Sequence, residues 1–511
     1  MSKKGYFLLF ISIFFMFSLY SIFAPITADE GIPINGSLIL LQGKDIYKDL
    51  IKVEGPVTFL INLPILYFFP QNLLFPRLFT SLIVSFSFLF IFLLSIEILD
   101  KKFSLLFIFL FTISTLILNI IVPSHRWYSF ILCIFSVYLI LNFIKYNNFI
   151  FLFLSGFLAG LNLLTMINNG LFNFLSLSFF FLIKYRKDFF EIFIKFLCGF
   201  LIPLLLFLLY AFLKGILIDY FYSVYIYIIK GGYLKGQYIF YNFWYTYFRF
   251  FKDFFLEIIR FEINLVYRDF IKFFINVIQP LIYFISFINL KSEKNSYYFL
   301  FFITGFFQFV SGCIQGPDSL RWLFSLAMVY LLMFYFIEKI YKTKRKLIYF
   351  FILFLFYFPL KFITHTEFII KGKEFYSEKR FWVFVSREWK KGFEEIKDFL
   401  EKNKVGKSDI FVLTFDFGPI LYFLYDKEIP VKYDVILPYL LPLELEIEVV
   451  ETLRFKKIKY VLITKSDRSM PRVKHWNKSY IFNFTIENFE KVKVIDFGGD
   501  IILEIYRFKG I

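Results

Sequence analysis

Residues 24–31 read APITADEG, residues 36–43 read GSLILLQG, and residues 43–56 read GKDIYKDLIKVEGP. The stretch 26–56 lies between two apolar runs, one from about Gly5 to Phe23 and one at 57–69, VTFLINLPILYFF. Asp29, Glu30, Asp49 and Glu54 therefore stand where the chain leaves and re-enters an apolar phase. Carboxylates pinned at a membrane surface are costly to keep there unless they serve a function. The reading that follows is an active-site loop between membrane segments, with an amphipathic helix over 36–43.

The composition supports that setting. The chain has 511 residues, 59% hydrophobic and 24% aromatic, whereas soluble domains stay near 45–50% apolar. It is read as an integral membrane protein. The 83 Phe residues are read as genome composition and carry no functional message. The net charge of +17 falls largely in short links, as the positive-inside bias dictates, which argues against nucleic acid as a partner. Cys133, Cys198 and Cys313 are far apart in apolar runs, with no metal-ligand or disulfide spacing.

Apolar runs at 5–23, 78–98, 103–122, 127–144, 149–165, 170–183, 190–213, 271–290, 296–313, 320–337 and 347–363 predict about eleven spans. Residues 57–69 are too short to cross and are interrupted by Pro64, so an interfacial or re-entrant segment is expected. Lys3 and Lys4, the links at 101–102, 145 and 184–187, and EKIYKTKRK at 338–346 place the amino terminus in the cytoplasm. The loop 26–56 and the tail then lie outside. Residues 214–270 alternate aromatic and charged side chains, as interfacial helices do.

From about His365 the texture turns polar. A helix at WKKGFEEIKDFLEKN, strands at 409–415, 459–464, 491–496 and 500–506, and helices near 418–425 and 444–456 predict a small α/β domain. The expected fold is an all-α polytopic membrane domain, residues 1–364, followed by an extracytoplasmic α/β domain, residues 365–511.

A sugar joined to a polyprenyl phosphate suits carboxylates at such a surface. The departing phosphate monoester has a second pKa of about 6 and needs cations more than a general acid. The acceptor hydroxyl needs a base, and the oxocarbenium-like transition state favours a second carboxylate. Asp29, Glu30 and Glu54 are the candidate catalytic groups. Arg77, the His125–Arg126 pair in PSHRWYS, and Arg321 in GPDSLRW are the candidate donor-phosphate ligands at helix ends. Asp49 is read as a local partner of Lys48 or Lys52, and His365 and His475 as surface residues.

The order ADEG, LLQGKDIYKDL, VEGP, PRLFTSL resembles the opening of the GT-C class of polytopic glycosyltransferases. Within it, the chain is most similar to bacterial relatives of protein O-mannosyltransferases and lipid A aminoarabinose transferases. The resemblance implies a catalytic acid at Asp29 with Glu30 beside it, and a second at Glu54 before a proline turn. It implies phosphate contacts at Arg77 and Arg321. The family often places Lys before that proline, where this chain has Gly55. Residues 156–170 and 411–438 also resemble middle spans and external domains of these enzymes.

The implied activity is inverting transfer of a sugar from a polyprenyl-phosphate donor to an envelope lipid, glycan or protein at the cell membrane. The sequence requires no cofactor; a divalent ion, used by some members of the class, would fall to Asp29, Glu30 and Glu54. The rival reading is a non-enzymatic carrier or flippase of a lipid-linked saccharide, which would place charges along a central path instead. A plain membrane anchor for the tail would leave the loop carboxylates without a role. For Asp29 the bland alternative is a helix cap, and for Arg77 an interfacial anchor.

Overall fold

Helix α1 (Lys3–Phe23) is a 21-residue apolar rod that ends where Ala24 turns extended. Thr27 then caps α2 (Ala28–Leu41), whose first turn carries Asp29 and Glu30. Acidic residues at a helix amino end offset the macrodipole, and T-x-x-E is a start signal. That signal explains why α2 begins eight residues before the helix expected over 36–43. Pro33, one turn further, offers no N–H to the carbonyl of Asp29.

The computed structural model describes residues 2–52, 54–225, 278–290, 295–315, 323–343, 370–378, 380–413, 417–433, 443–466, 479–499 and 501–510. The expected span 347–363, most of 214–270, and Asp318, Arg321, His365 and His475 lie outside them.

After the loop comes α3 (Pro56–Phe68), with Pro56 at its first turn. At 13 residues it reaches only about 20 Å, short of a bilayer core. It is not simply interfacial, because one face packs into the bundle. Thr58 Oγ1 donates to the Thr165 carbonyl (3.2 Å), and Tyr128 OH donates to Asn62 Oδ1 (2.8 Å). Its carboxyl end, with Tyr67 and Phe68, is exposed.

The bundle continues as α4 (Leu74–Ser95), α5 (Lys101–Leu118), α6 (His125–Tyr146), α7 (Phe149–Leu163), α8 (Ile167–Lys184), α9 (Phe189–Leu213) and the short α10 (Leu217–Tyr225). It resumes with α11 (Gln279–Asn289), α12 (Ser296–Gln315) and α13 (Leu323–Thr343). Among the described residues, six of these helices are long and apolar enough to cross a membrane: α1, α4, α6, α8, α9 and α13. Helix α13 is buried from Leu323 to Phe334.

Helices α7 and α9 approach each other along glycines. A Cβ on Gly156 would lie 2.0 Å from the Phe196 carbonyl oxygen, and one on Gly199 would lie 2.0 Å from that of Phe153. In lipid, where apolar burial does not drive helices together, such small-residue seams supply the packing. Gly160, one turn beyond Gly156, meets Phe200 in the same way.

The tail begins with an antiparallel hairpin, β1 (Lys373–Tyr376) and β2 (Val383–Ser386), which the sequence reading did not foresee. It continues with α14 (Arg387–Lys402), β3 (Ile410–Leu413), α15 (Gly418–Leu424), α16 (Leu443–Phe455), β4 (Tyr460–Ser466), α17 (Tyr480–Asn488), β5 (Phe489–Asp496) and β6 (Ile501–Phe508). The four-stranded sheet runs β3-β4-β6-β5, with β3 and β4 parallel and the other pairs antiparallel. Apart from the hairpin and α17, these elements fall where the hydrophobic periods put them.

This sheet domain sits directly on the loop that follows α1. A Cβ on Gly31 would lie 2.6 Å from the Ile420 amide nitrogen, so α2 and α15 touch backbone to backbone. Asn35 Nδ2 donates to the Pro419 carbonyl (2.7 Å), and the Ile51 N–H donates to that of Lys432 (2.7 Å). Ile26, Ile34, Leu66 and Leu73 join one apolar core with α14, α15 and the sheet. Residues 26–56 are therefore clamped between helix bundle and tail domain.

Candidate functional site

Glu30 and Arg77 meet in the interior. Arg77, in the first turn of α4, is fully buried, as is Glu30. Its Nε donates to Glu30 Oε2 (2.9 Å) and its Nη2 to Glu30 Oε1 (2.8 Å). Nη1 donates to the carbonyls of Ser21 and Ala24 (both 2.9 Å), and Nη2 also to that of Pro25 (3.2 Å). All five guanidinium donors have protein acceptors. Glu30 Oε1 also accepts the Thr27 N–H (3.0 Å). One arginine thus straps the end of α1, the turn and the first coil of α2 onto α4.

Two candidate roles do not fit these surroundings. Arg77 has no N–H left for a lipid phosphate, and Glu30 is shielded from any acceptor. The sequence placed Arg77 correctly at a helix end, but not how deep it lies: α4 starts at Leu74, and the end of α1, the turn and α2 enclose the guanidinium.

Asp29 is different. It is only half-buried, with its carboxylate Oδ2 3.5 Å from Nη1 of Arg126. The side chains of Arg126 and Asp29 are 15% and 38% exposed. At 3.5 Å the pair is wider than a short hydrogen bond, and the Asp29 carboxylate keeps a solvent-exposed side. The capping position belongs to Thr27, which removes the bland alternative for Asp29. Arg126 and His125 open α6, whose cap Ser124 accepts the Arg126 N–H (3.3 Å). A helix amino end adds partial positive charge suited to an anion. Nearby, Ser21 Oγ donates to the Ile121 carbonyl (2.5 Å), holding the α5–α6 link against α1.

Glu54 is buried in the turn before α3, where its carbonyl accepts Tyr47 OH (2.9 Å). Burial, with the nearby Tyr220 and Glu54, pushes the Tyr47 hydroxyl well above its ordinary pKa. The Gly55 N–H donates to the Thr165 carbonyl (3.2 Å), and a Cβ on Gly55 would lie 1.9 Å from the Leu164 oxygen. The α7–α8 junction therefore leaves no room for a side chain there, which accounts for the glycine. Asp49 does not stand as a lysine partner; its Oδ2 accepts the Asp45 N–H (2.8 Å) and closes its own turn.

The sequence reading missed Lys373. From β1 its ammonium donates to the Phe23 carbonyl at the end of α1. Burial, and then the charge of Arg77, lower its pKa to about 8. A contact across 350 residues leaves no local signal.

Asp29, Glu30 and Glu54 do not form a metal-ligand set, because both Glu30 oxygens are taken by Arg77. Among the described residues, no group of three His, Cys, Asp or Glu is placed to hold an ion. Arg321 lies outside the described residues.

No protein-family model and no curated protein matches this chain. Solved structures do. ArnT from Cupriavidus metallidurans, bound to undecaprenyl phosphate, superposes with a TM-score of 0.55 at 10% identity, covering 99% of this chain and 98% of its own. The Archaeoglobus fulgidus oligosaccharyltransferase, in complex with zinc and sulfate, gives 0.52 at 11% identity, covering 91% of this chain and 69% of its own. The AglB oligosaccharyltransferase of the same organism, with an inhibitory peptide and a dolichol-phosphate, gives 0.52 at 11%, with coverages of 91% and 70%. The chain thus has the GT-C fold, and its long apolar helices are those of a membrane protein.

Proposed function

We propose that the chain is an inverting glycosyltransferase that moves a sugar from a polyprenyl phosphate to a cell-envelope lipid, glycan or protein. The observation that carries this reading is the contrast between two neighbouring pairs. Glu30–Arg77 is sealed and saturated, while Asp29, 3.5 Å from Arg126, keeps a partly exposed carboxylate. A sealed pair fixes the backbone, and an exposed carboxylate can meet a substrate. Undecaprenyl phosphate in ArnT and dolichol-phosphate in AglB support a lipid phosphate as the donor's carrier.

Asp29 accepts the proton of the acceptor hydroxyl as its oxygen attacks the anomeric carbon. The bond from that carbon to the phosphate oxygen breaks on the opposite face, its electron pair leaving with the lipid phosphate. The new glycosidic bond is inverted. Arg126 and His125, at the amino end of α6, hold the departing phosphate, with Arg321 as a further ligand. Glu54 is the second carboxylate facing the oxocarbenium charge. Glu30 and Arg77 hold Asp29 in place and touch no substrate. No step is routed through a metal ion. On this reading the loop and tail face outward, and the amino terminus and the link 338–346 face the cytoplasm.

The test is reconstitution in liposomes with polyprenyl-phosphate sugars extracted from cells that lack the protein, plus an envelope extract as acceptor. A transferase releases free polyprenyl phosphate and labels the acceptor. A carrier moves the lipid between leaflets with its sugar–phosphate bond intact, and that result would contradict the reading.

A further inference from the structure

Sheet faces turned toward water carry polar side chains, whereas aromatic rings stand at the middle of the outward face of the β1–β2 hairpin. The register pairs Phe375 with Phe384 and Tyr376 with Val383. Tyr376, Val383 and Val385 are buried in the tail domain. The opposite face then carries Lys373, Phe375, Phe384 and Ser386, of which Lys373 donates to the Phe23 carbonyl and Ser386 caps α14. Phe384 stacks on Phe23 with centroids 4.2 Å apart. Phe375 meets Phe384 at 5.2 Å and Trp382 at 6.3 Å. Four rings thus run on from the last residue of α1.

The free surface of those rings continues a lipid-facing one. Helix α1 turns Phe15 and Leu19 outward, 62% and 43% exposed, and Phe375 and Trp382 follow at 45% and 41%. Trp382 also has a left-handed backbone, φ 49°, a strained conformation for a bulky residue. That strain turns an indole outward when the same turn could have carried glycine. The turn abuts the α3–α4 link, where the Leu73 N–H donates to the Arg380 carbonyl (2.9 Å) and Arg380 Nη2 to Gln71 Oε1 (3.1 Å). Just before that link, Tyr67 and Phe68 are 69% and 75% exposed.

We infer that the β1–β2 hairpin is a membrane foot: Phe375 and Trp382 seat in the headgroup layer of the bilayer around the carboxyl end of α1. The tail domain is then held by lipid as well as by α2. Indole rings favour that layer, being apolar in body and polar at one edge. Continuity with the surface of a membrane span selects lipid over a protein partner. The inference depends on α1 crossing the membrane and not on the reaction catalysed.

Tryptophan fluorescence of the full chain tests it, in phosphatidylcholine–phosphatidylglycerol vesicles carrying bromines high on the acyl chains. The Trp382 component is the difference between wild type and Trp382→Phe. Phe375→Trp supplies a second reporter on an otherwise native chain. Both components are expected to be quenched by brominated lipid and protected from iodide. Quenching by iodide with none by bromolipid overturns the foot, placing the hairpin in water. Protection from both quenchers, with cross-links between copies, overturns it in favour of a second copy of the chain.

Discussion

Arg77 grips Glu30 with both prongs of its guanidinium, at 2.9 Å from Nε and 2.8 Å from Nη2, and neither side chain reaches solvent. The same guanidinium holds three carbonyls between Ser21 and Pro25. The residue next to Glu30 is Asp29, so the geometry of the site is set by a group that does not face it.

Breaking that grip on one side strands a buried charge. Arg77→Ala and Glu30→Ala should each cost about 3–5 kcal/mol, while the double variant Arg77→Met, Glu30→Leu should cost less than either. Thermal unfolding of the detergent-solubilised chain reads this. A further expectation is that the double variant keeps its affinity for bare undecaprenyl phosphate while turnover falls. Loss of that affinity would return Arg77 to the phosphate site.

Arg126 should behave oppositely. Arg126→Ala is expected to lower the thermal midpoint less than Arg77→Ala does, since its pair with Asp29 is wider and partly exposed. Binding of undecaprenyl phosphate should weaken, and Arg126→Lys should restore it only in part, because a point charge lacks the fork. Equal binding by all three proteins would remove Arg126 from the phosphate site.

The glycine seam between α7 and α9 admits no extra atoms. Gly156→Ala should destabilise by about 1–3 kcal/mol through overpacking, and Gly156→Leu should abolish folded yield. Leu154→Ala, on the outward face of the same helix at 39% exposure, is the neutral control. Size-exclusion profiles and thermal midpoints read the difference.

Lys373 makes the docking of the tail domain depend on pH. Its pKa is lowered to about 8 in the folded chain from the usual 10.5. Between those values the unfolded chain binds more protons than the folded one, so stability from this group rises with pH. Below pH 8 the ammonium is charged in both states and its burial penalty is complete. Lys373→Met should flatten the slope of thermal midpoint against pH between about 8 and 10. An unchanged slope would exclude Lys373 as its source.

Much of this was legible in the chain. The length of apolar runs gave most spans, because hydrocarbon thickness is a constraint that each helix meets alone. The strands after residue 409 declared themselves by their apolar runs, and Asp29 by its place just past a span. Depth was not legible. Arg77 reads as an interface arginine until the end of α1 and the first turn of α2 close over it, and α2 is itself packed against Pro419 and Ile420, far along the chain. The β1–β2 hairpin escaped notice because KEFY and VFVS are only four residues each and rings stand at the middle of their outward face, so the polar–apolar alternation that marks a surface strand is broken. Gly55 looked like a lost phosphate contact. Its backbone approach to Leu164 shows that glycine is required there.

The central claim is that Asp29 is the general base, and Asp29→Asn tests it most directly. Asparagine keeps the size and most of the hydrogen bonding but cannot take the proton. Turnover is measured on the purified variant with saturating polyprenyl-phosphate sugar and envelope acceptor, beside binding of the lipid donor. The account predicts a fall in turnover of about 10²–10⁴ with donor binding nearly unchanged. Turnover close to that of the wild type would contradict it and leave Asp29 as no more than a charge at the head of α2.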